Sequence, residues 1–119
     1  MITTKTKIAI IEANQGFSTF LKNMLFKIGV LSQFHFSSAE KFISQIERKK
    51  TSFDLVLFNT NCTEKNLINA LTESKIKYLA YGEKSKMTTE LISLTGLSNL
   101  IELPFTSEKL LSRLEKINS

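Results

Sequence analysis

The sequence is poor in several residue types that often define small proteins. A single cysteine, Cys62, leaves no disulfide possible within the chain, so a reducing cytoplasm is the expected setting. No apolar run approaches the roughly 20 residues that span a bilayer, and the opening residues 1–7 lack the apolar core of a signal peptide. We therefore expect a cytoplasmic protein that does not bind membranes.

Length and composition indicate a globular chain. The 119 residues are 42% hydrophobic and 23% charged, which is typical of a folded, soluble domain. A chain of this size buries about two-thirds of the surface of its unfolded form, so neither a metal nor a disulfide is needed to hold it together. We predict one domain over residues 1–119.

The net charge of +5 raises the possibility of nucleic-acid binding. The lysines, however, are dispersed along the chain instead of forming one cluster, which favours an ordinary solvated surface over direct nucleic-acid binding. They occur mostly in pairs: Lys5 and Lys7, Lys22 and Lys27, Lys49 and Lys50, Lys75 and Lys77, Lys84 and Lys86, and Lys109 and Lys116.

Five short apolar segments alternate with five helical patterns, and this order predicts a parallel sheet covered by helices on both faces. The sequence predicts strands at Ile8–Ile11, Leu31–Phe36, Leu55–Phe58, Ile76–Ala80 and Leu100–Glu102.

The helices are predicted from apolar residues at helical spacing. The clearest stripe runs from Phe17 to Ile28 and is followed by Gly29, where a helix usually stops. Residues 37–40, Ser-Ser-Ala-Glu, have the spacing of a capping box in front of the second helix. The third, fourth and fifth helices are marked by apolar residues in the ranges 67–71, 87–94 and 110–117.

Right-handed crossovers between these strands predict a doubly wound α/β fold. The flavodoxin-like strand order 2-1-3-4-5 is common at this size, and ligands then bind outside the carboxyl ends of the strands, near strands one and three. Functional residues are therefore expected just after Ile11, Phe58 and Ala80.

Three segments together resemble a response-regulator receiver domain. Within residues 95–106, Gly96 stands where receivers carry a glycine turn. Pro104 and Phe105 follow a short fifth strand and stand where receivers carry a Lys-Pro-Phe motif. The segments Lys7–Glu12 and Phe53–Asn59 resemble the first and third receiver strands. The order and spacing of the three segments match those of receivers, and the resemblance covers essentially the whole chain.

The resemblance implies a phosphorylation pocket that has lost its acids. The phosphoacceptor aspartate falls on Asn59, whose amide cannot form an acyl phosphate, and the acidic pair that holds Mg²⁺ falls on Glu12 and Ala13. The only aspartate, Asp54, precedes the third strand and is expected at the opposite end of the sheet. We expect Glu12 to pair with a lysine or face solvent.

The remaining pocket positions are also changed. The phosphate-pairing lysine falls on Leu103, the hydroxyl residue after the fourth strand falls on Ala80, and the switching aromatic residue falls on Leu100. The resemblance thus implies no phosphorylation, no Mg²⁺ or other metal, no cofactor and no catalytic residue, so the chain is not expected to be an enzyme.

Receivers signal mainly through the surface of the fourth helix, fifth strand and fifth helix. In this sequence that surface is expected to present Glu90, Leu100, Glu102, Lys109 and Arg113, with both helix-five residues exposed. Arg113 matches an arginine used in a symmetric receiver dimer. The acidic partner of that arginine is missing, since its position holds asparagine or serine.

The sequence therefore predicts a phosphorylation-independent signalling module of a bacterial two-component-type system, acting through a protein partner or a homodimer. It could also serve as the regulatory domain of a transcription factor, with nucleic acid contacted only through a separate effector domain. Two alternatives remain open: a flavodoxin-like sensor of small molecules, and a direct nucleic-acid-binding protein. The first lacks a glycine-rich phosphate loop after strand one.

Overall fold

The computed structural model describes residues 2–48 and 52–118, so Lys49 and Lys50 lie outside the described residues. Strands and helices alternate strictly along the chain, and three single-turn 3₁₀ helices follow β3, β4 and α4. In chain order the main elements are β1 (Lys7–Ile11), α1 (Gln15–Lys27), β2 (Ser32–Phe36), α2 (Ala39–Glu47), β3 (Leu55–Asn59), α3 (Lys65–Glu73), β4 (Lys77–Gly82), α4 (Thr89–Thr95), β5 (Leu100–Glu102) and α5 (Ser107–Asn118).

The five strands form one parallel sheet in the order β2-β1-β3-β4-β5, which confirms the predicted flavodoxin-like topology. Alternate residues of each strand enter different apolar layers. Ile8 and Ile10 of β1 pack beneath α1 and α5, whereas Ala9 and Ile11 pack beneath α2, α3 and α4. Because both faces are covered, residues 8–11 of β1 and 55–58 of β3 are all apolar and buried instead of alternating with polar residues.

The predicted end of β4 was wrong. The strand continues beyond Ala80 to Gly82, because Tyr81 and Gly82 still pair with Ile101 and Glu102 of β5. Tyrosine is common in strands, but Gly82 is a residue type depleted in strands and typical of turns, so the prediction stopped too early. The correction places Tyr81 at the carboxyl edge of the sheet, opposite Asn59 of β3.

Local side-chain caps define where two helices begin. Asn14 precedes α1 and its side chain accepts a hydrogen bond from the Phe17 N–H. Ser38 caps α2 by accepting from the Lys41 N–H at 3.2 Å, so the predicted capping box beginning at Ser37 was displaced by one residue. After α1, Gly29 adopts a φ of 95°, a left-handed conformation that stops the helix as predicted.

Asp54 lies at the amino end of the sheet, away from the carboxyl edge. Its carboxylate accepts a hydrogen bond of 2.8 Å from the Lys7 N–H, and its own N–H donates to the Lys7 carbonyl oxygen at 2.9 Å. The single aspartate thus ties the starts of β1 and β3 together. Within residues 2–48 and 52–118, no helix is long and apolar enough to cross a membrane.

Candidate functional site

The candidate site is centred on Glu12, the residue that directly follows β1. Its N–H donates to the Phe36 carbonyl oxygen at 3.0 Å, which extends the ladder between β1 and β2 by one step. The Glu12 side chain is buried, and only 6% of the residue is exposed. A carboxylate buried to this extent requires hydrogen-bond donors around it.

Three donors of the chain itself bind the Glu12 carboxylate. Oε1 accepts from the Asn59 amide at 3.0 Å and from the Tyr81 hydroxyl at 2.7 Å. Oε2 accepts from the Asn14 N–H at 3.0 Å. The expectation that Glu12 would pair with a lysine or face solvent was therefore wrong: β1, β3 and β4 bring neutral donors to a buried carboxylate. We call Glu12, Asn14, Asn59 and Tyr81 the Glu12 cluster.

Asn59 uses both ends of its amide. While Nδ2 donates to Glu12, Oδ1 accepts from the Asn61 N–H at 2.9 Å and caps the 3₁₀ helix Thr60–Cys62. A carboxylate in this position would accept from Asn61 equally well, but it has no proton to donate to Glu12. The asparagine is therefore suited to bridging the loops after β1 and β3.

Tyr81, like Asn14, is a member of the cluster that the sequence did not predict. Its ring is fully buried and packs against Phe17 at 5.4 Å and Phe105 at 6.4 Å between ring centroids. Burial raises the pKa of the Tyr81 phenol far above its usual range, and the hydrogen bond to Glu12 and the charge of that carboxylate act in the same direction. The hydroxyl therefore remains a proton donor to Glu12 at physiological pH.

The other pocket positions predicted from the sequence do not join the cluster. Ala80 lies inside β4, pairs with Leu100 of β5 and packs in the opposite apolar layer. Ala13 is exposed and offers no polar side-chain atom. Leu103 is half-buried against the same apolar layer as Tyr81, and its N–H donates to the Gly82 carbonyl oxygen at 2.8 Å.

Cys62 lies beside the cluster but is poorly suited to act as a nucleophile. Its half-buried sulfur is 4.0 Å from the Ile11 carbonyl oxygen, and burial raises the pKa of the thiol. The carboxylates of Glu12 and Glu64 raise that pKa further, while a backbone hydrogen bond with Ala13 partly opposes them. The thiol rather than the reactive thiolate therefore predominates at neutral pH.

Gly82, at the end of β4, makes room for the loop that follows Asn59. An added Cβ at Gly82 would lie 2.2 Å from Thr60 Oγ1 and 2.9 Å from Thr60 Cγ2. Thr60 is itself buried, so its side chain has little space in which to move. The close approach of these two residues holds the Asn59 loop against β4.

Gly82→Ala is expected to lower the free energy of unfolding by about 1–3 kcal/mol, the usual cost of overpacking a tight site. Urea denaturation measures the loss, and adding Thr60→Ala should recover part of it because the two clashing atoms are removed. Gly16→Ala is the control: in helix α1 its Cβ would meet only Asn14 Oδ1, at 3.3 Å. Equal stability of Gly82→Ala and the parent would contradict this packing.

A second feature of the surface is a groove between α4, β5 and α5, with a volume of about 470 Å³. Leu97, at one side, is 69% exposed. We call it the α4–α5 groove; its lining residues are Lys84, Met87, Ile92, Leu97, Leu100, Glu102, Lys109 and Arg113.

The Arg113 side chain is less exposed than the sequence predicted. Its guanidinium donates to the carbonyl oxygens of Ser98 and Leu100, so the side chain is half-buried along the edge of β5. Lys109 is exposed, as predicted, whereas the expectation that Arg113 is also exposed was wrong. Glu90 lines a different cavity, on the other side of α4 next to Thr60 and Lys86.

The described residues contain no group of three or more histidine, cysteine, aspartate or glutamate side chains arranged to hold a metal ion. The Glu12 cluster instead combines one carboxylate with neutral donors. Chemically, it fixes the loops after β1 and β3 to the end of β4.

The fold is that of response-regulator receiver domains. The N-terminal domain of a response regulator/sensory box/GGDEF three-domain protein from Carboxydothermus hydrogenoformans superimposes with a TM-score of 0.79 at 17% identity, covering 95% of this chain and 94% of that chain. The chemotaxis protein CheY4 of Vibrio cholerae gives 0.75 at 13% identity, with 94% and 98% covered.

The receiver domain of the TMAO respiratory system response regulator TorR gives a TM-score of 0.74 at 19% identity, with 93% of this chain and 94% of that chain covered. No protein-family model matches the chain, and no curated protein matches it significantly in sequence. The similarity at these identities establishes a common α/β flavodoxin-like architecture.

Proposed function

We propose that this chain is a receiver-like signalling module that works without phosphorylation in a bacterial two-component-type regulatory system. The observation that carries the proposal is the Glu12 cluster. The carboxylate that would help to hold a metal is engaged by Asn14, Asn59 and Tyr81, and an amide occupies the place that corresponds to the phosphoacceptor.

The chemistry of phosphoryl transfer supports the proposal. An aspartate that accepts a phosphoryl group must supply a nucleophilic carboxylate oxygen, whereas the Asn59 amide is a poor nucleophile. Mg²⁺ prefers several oxygen ligands in octahedral geometry, whereas three hydrogen bonds already occupy most of the acceptor sites of the Glu12 carboxylate. The half-buried Leu103 contributes no cation to stabilise a phosphoryl group. We therefore propose a module without enzymatic activity, cofactor or metal.

With no chemistry in the cluster, function is proposed to reside in the surface. The α4–α5 groove offers the exposed Leu97 and the half-buried Met87 and Ile92. Beside them lie the charged groups of Lys84, Lys109 and Glu102. Such a combination of apolar centre and polar edge suits protein recognition. A protein partner or a second copy of the chain docks there, and the module thereby regulates an effector, such as the output domain of a transcription factor.

A small-molecule phosphodonor tests the first part of this proposal. Incubation with acetyl phosphate and Mg²⁺ is expected to leave the mass unchanged, because Asn59 cannot form the acyl phosphate. Intact-mass spectrometry measures the outcome, and a receiver with an intact phosphoacceptor, treated in parallel, controls for active donor. A gain of one phosphoryl group mapped to the Asn59 segment would refute phosphorylation-independent action.

A further inference from the structure

The two outer strands of the sheet differ in how well their free edges are protected. At β5 the Arg113 guanidinium occupies the carbonyl oxygens of Ser98 and Leu100, which hinders the addition of a strand there. At the other end of the sheet, β2 pairs with β1 alone, in an unbroken register without a bulge. Edge strands are usually protected by lysine, proline or a bulge, because their unpaired backbone groups attract further strands.

The sequence around β2 supplies no such protection. Residues 28–39 include no proline, lysine, arginine, aspartate or glutamate. Their one titratable side chain is His35; partial burial and the charge of Lys22 lower the pKa of that imidazole, so it is neutral at physiological pH. Leu31, next to the start of the strand, is 58% exposed. On a chain with a net charge of +5, a second copy meets less repulsion at this edge than at a surface rich in lysine.

The polar side chains of β2 already have hydrogen-bond partners within the same chain. Gln33 Nε2 donates to the carbonyl oxygens of Lys22 and Val30, at 3.1 and 3.2 Å. Gln33 Oε1 therefore accepts from His35 Nε2 at 2.9 Å, and His35 Nδ1 accepts from the Ser18 hydroxyl at 2.8 Å. Another strand can thus approach the backbone of β2 without taking the partners of these side chains.

The backbone groups of Gln33 and His35 face away from the sheet. The Glu12 N–H donates to the Phe36 carbonyl oxygen, so Phe36 directs its backbone groups towards β1. Alternate residues of a strand direct their N–H and C=O groups to opposite sides, which turns those of Gln33 and His35 outward. Two donors and two acceptors therefore stand along the free edge.

A second β2 strand that runs antiparallel matches these groups. With a two-fold axis at Phe34, Gln33 lies opposite His35 of the second copy, and each such pair exchanges two backbone hydrogen bonds. Leu31 then lies opposite Ser37 of the second copy. The Phe34 side chains meet at the axis, on the face of the sheet that packs beneath α2. The free edge of β2 is therefore complementary to itself.

We infer that β2 pairs with β2 of a second copy of this chain, antiparallel and centred on Phe34, to form a symmetric dimer with one continuous sheet of ten strands, five from each copy. The inference goes beyond the proposed function and does not depend on it. Because β2 has five residues, the contact is small, and we expect a dissociation constant of about 10–100 µM. The α4–α5 groove of each copy lies towards the opposite edge of the sheet and stays open to a partner.

A pair of cysteines tests the register of this dimer. Leu31→Cys with Ser37→Cys, in a chain that also carries Cys62→Ser, places thiols opposite each other, with Cα atoms about 5.5 Å apart, within reach of a disulfide. Mild oxidation should give a covalent dimer on a non-reducing gel. The control is Leu31→Cys with Cys62→Ser, whose thiol would lie about 20 Å from its symmetry mate and should remain unlinked.

Two matched double variants locate the contact in sedimentation velocity. Leu31→Lys with Ser37→Lys sets lysines opposite each other across the proposed interface, so dimerisation should weaken at least about tenfold. Leu97→Lys with Ser98→Lys is the control, because it changes an exposed leucine and an exposed serine to the same residue beside β5. This control should dimerise as the parent does.

Three outcomes would overturn the inference. The first is a parent chain that stays monomeric well above the expected dissociation constant, and the second is equal crosslinking of the single-thiol control. The third is a dimer that Leu97→Lys with Ser98→Lys dissociates and Leu31→Lys with Ser37→Lys does not, since the contact would then lie at the α4–α5 groove. None of them alters the phosphodonor experiment, which tests the proposed function separately.

Discussion

Asn59→Asp is expected to be less stable than the parent at neutral pH and still to remain unphosphorylated. The new carboxylate would stand where an amide now donates to Glu12 at 3.0 Å, so a hydrogen bond is replaced by repulsion between the buried Glu12 and a half-buried second acid. We expect a loss of about 2–4 kcal/mol in the free energy of unfolding, a range typical of an unpaired charge in a partly buried site.

The pH dependence of this variant has a definite sign. Repulsion favours retention of a proton by one of the two carboxyls in the folded state, so the folded form binds more protons than the unfolded form near neutral pH. The difference in free energy of unfolding between Asn59→Asp and the parent should therefore shrink as the pH falls towards the range in which carboxyls of the unfolded chain are protonated. Urea denaturation at several pH values, each paired with the parent protein, measures the difference.

Two matched variants separate repulsion from loss of the hydrogen bond. Asn59→Ala removes the donor without adding charge, so its loss of stability should shrink less in acid than that of Asn59→Asp. Adding Glu12→Gln to Asn59→Asp supplies an amide donor and should restore much of the stability. A single Asn59→Asp variant that is as stable as the parent, or that acetyl phosphate labels efficiently, would show that the pocket is more receiver-like than the Glu12 cluster indicates.

The sequence predicted the sheet well because its strands and helices carry local signals. The continuous apolar segments of β1 and β3, the stripe of α1 and the stop at Gly29 follow from burial on both faces and from backbone conformation. The strand order followed from right-handed crossovers and chain length. The apolar segments, the helical stripe and the helix stop depend on residues that are close together in the chain, so they can be recognised directly in the sequence.

The site was harder to predict because its hydrogen bonds join residues far apart in the chain. Glu12 and Asn59 were placed at the carboxyl edge since each follows a recognisable strand. Tyr81 was missed, because the predicted fourth strand ended at Ala80 and the hydroxyl that reaches Glu12 is 69 residues away in sequence. Arg113 was misjudged for the same reason: the carbonyl oxygens of Ser98 and Leu100 that it binds become adjacent only when α5 packs beside β5.

Removing the Glu12 carboxylate is the second change that we expect to lower the free energy of unfolding strongly. Glu12→Ala leaves the buried Tyr81 hydroxyl and the Asn59 amide without their acceptor, and the Asn14 N–H loses its partner as well. Leaving a buried donor unsatisfied costs about 1–3 kcal/mol, and hydrogen bonds to charged groups are at the upper end of net values. Because solvent will reach part of the vacated space, we expect a total loss of about 2–4 kcal/mol in the free energy of unfolding.

A double-mutant cycle with Tyr81→Phe shows whether this loss arises from the cluster. Tyr81→Phe removes only the hydroxyl and should cost less than Glu12→Ala, while the double variant should be more stable than the sum of the two losses implies, since residues in one hydrogen-bond network are coupled. Asp54→Ala provides the control for loss of a carboxylate at the far end of the sheet, and its effect should add to that of Tyr81→Phe. Strict additivity between Glu12→Ala and Tyr81→Phe in urea denaturation would mean that the 2.7 Å hydrogen bond does not stabilise the fold, and the Glu12 cluster would then no longer support the proposed function.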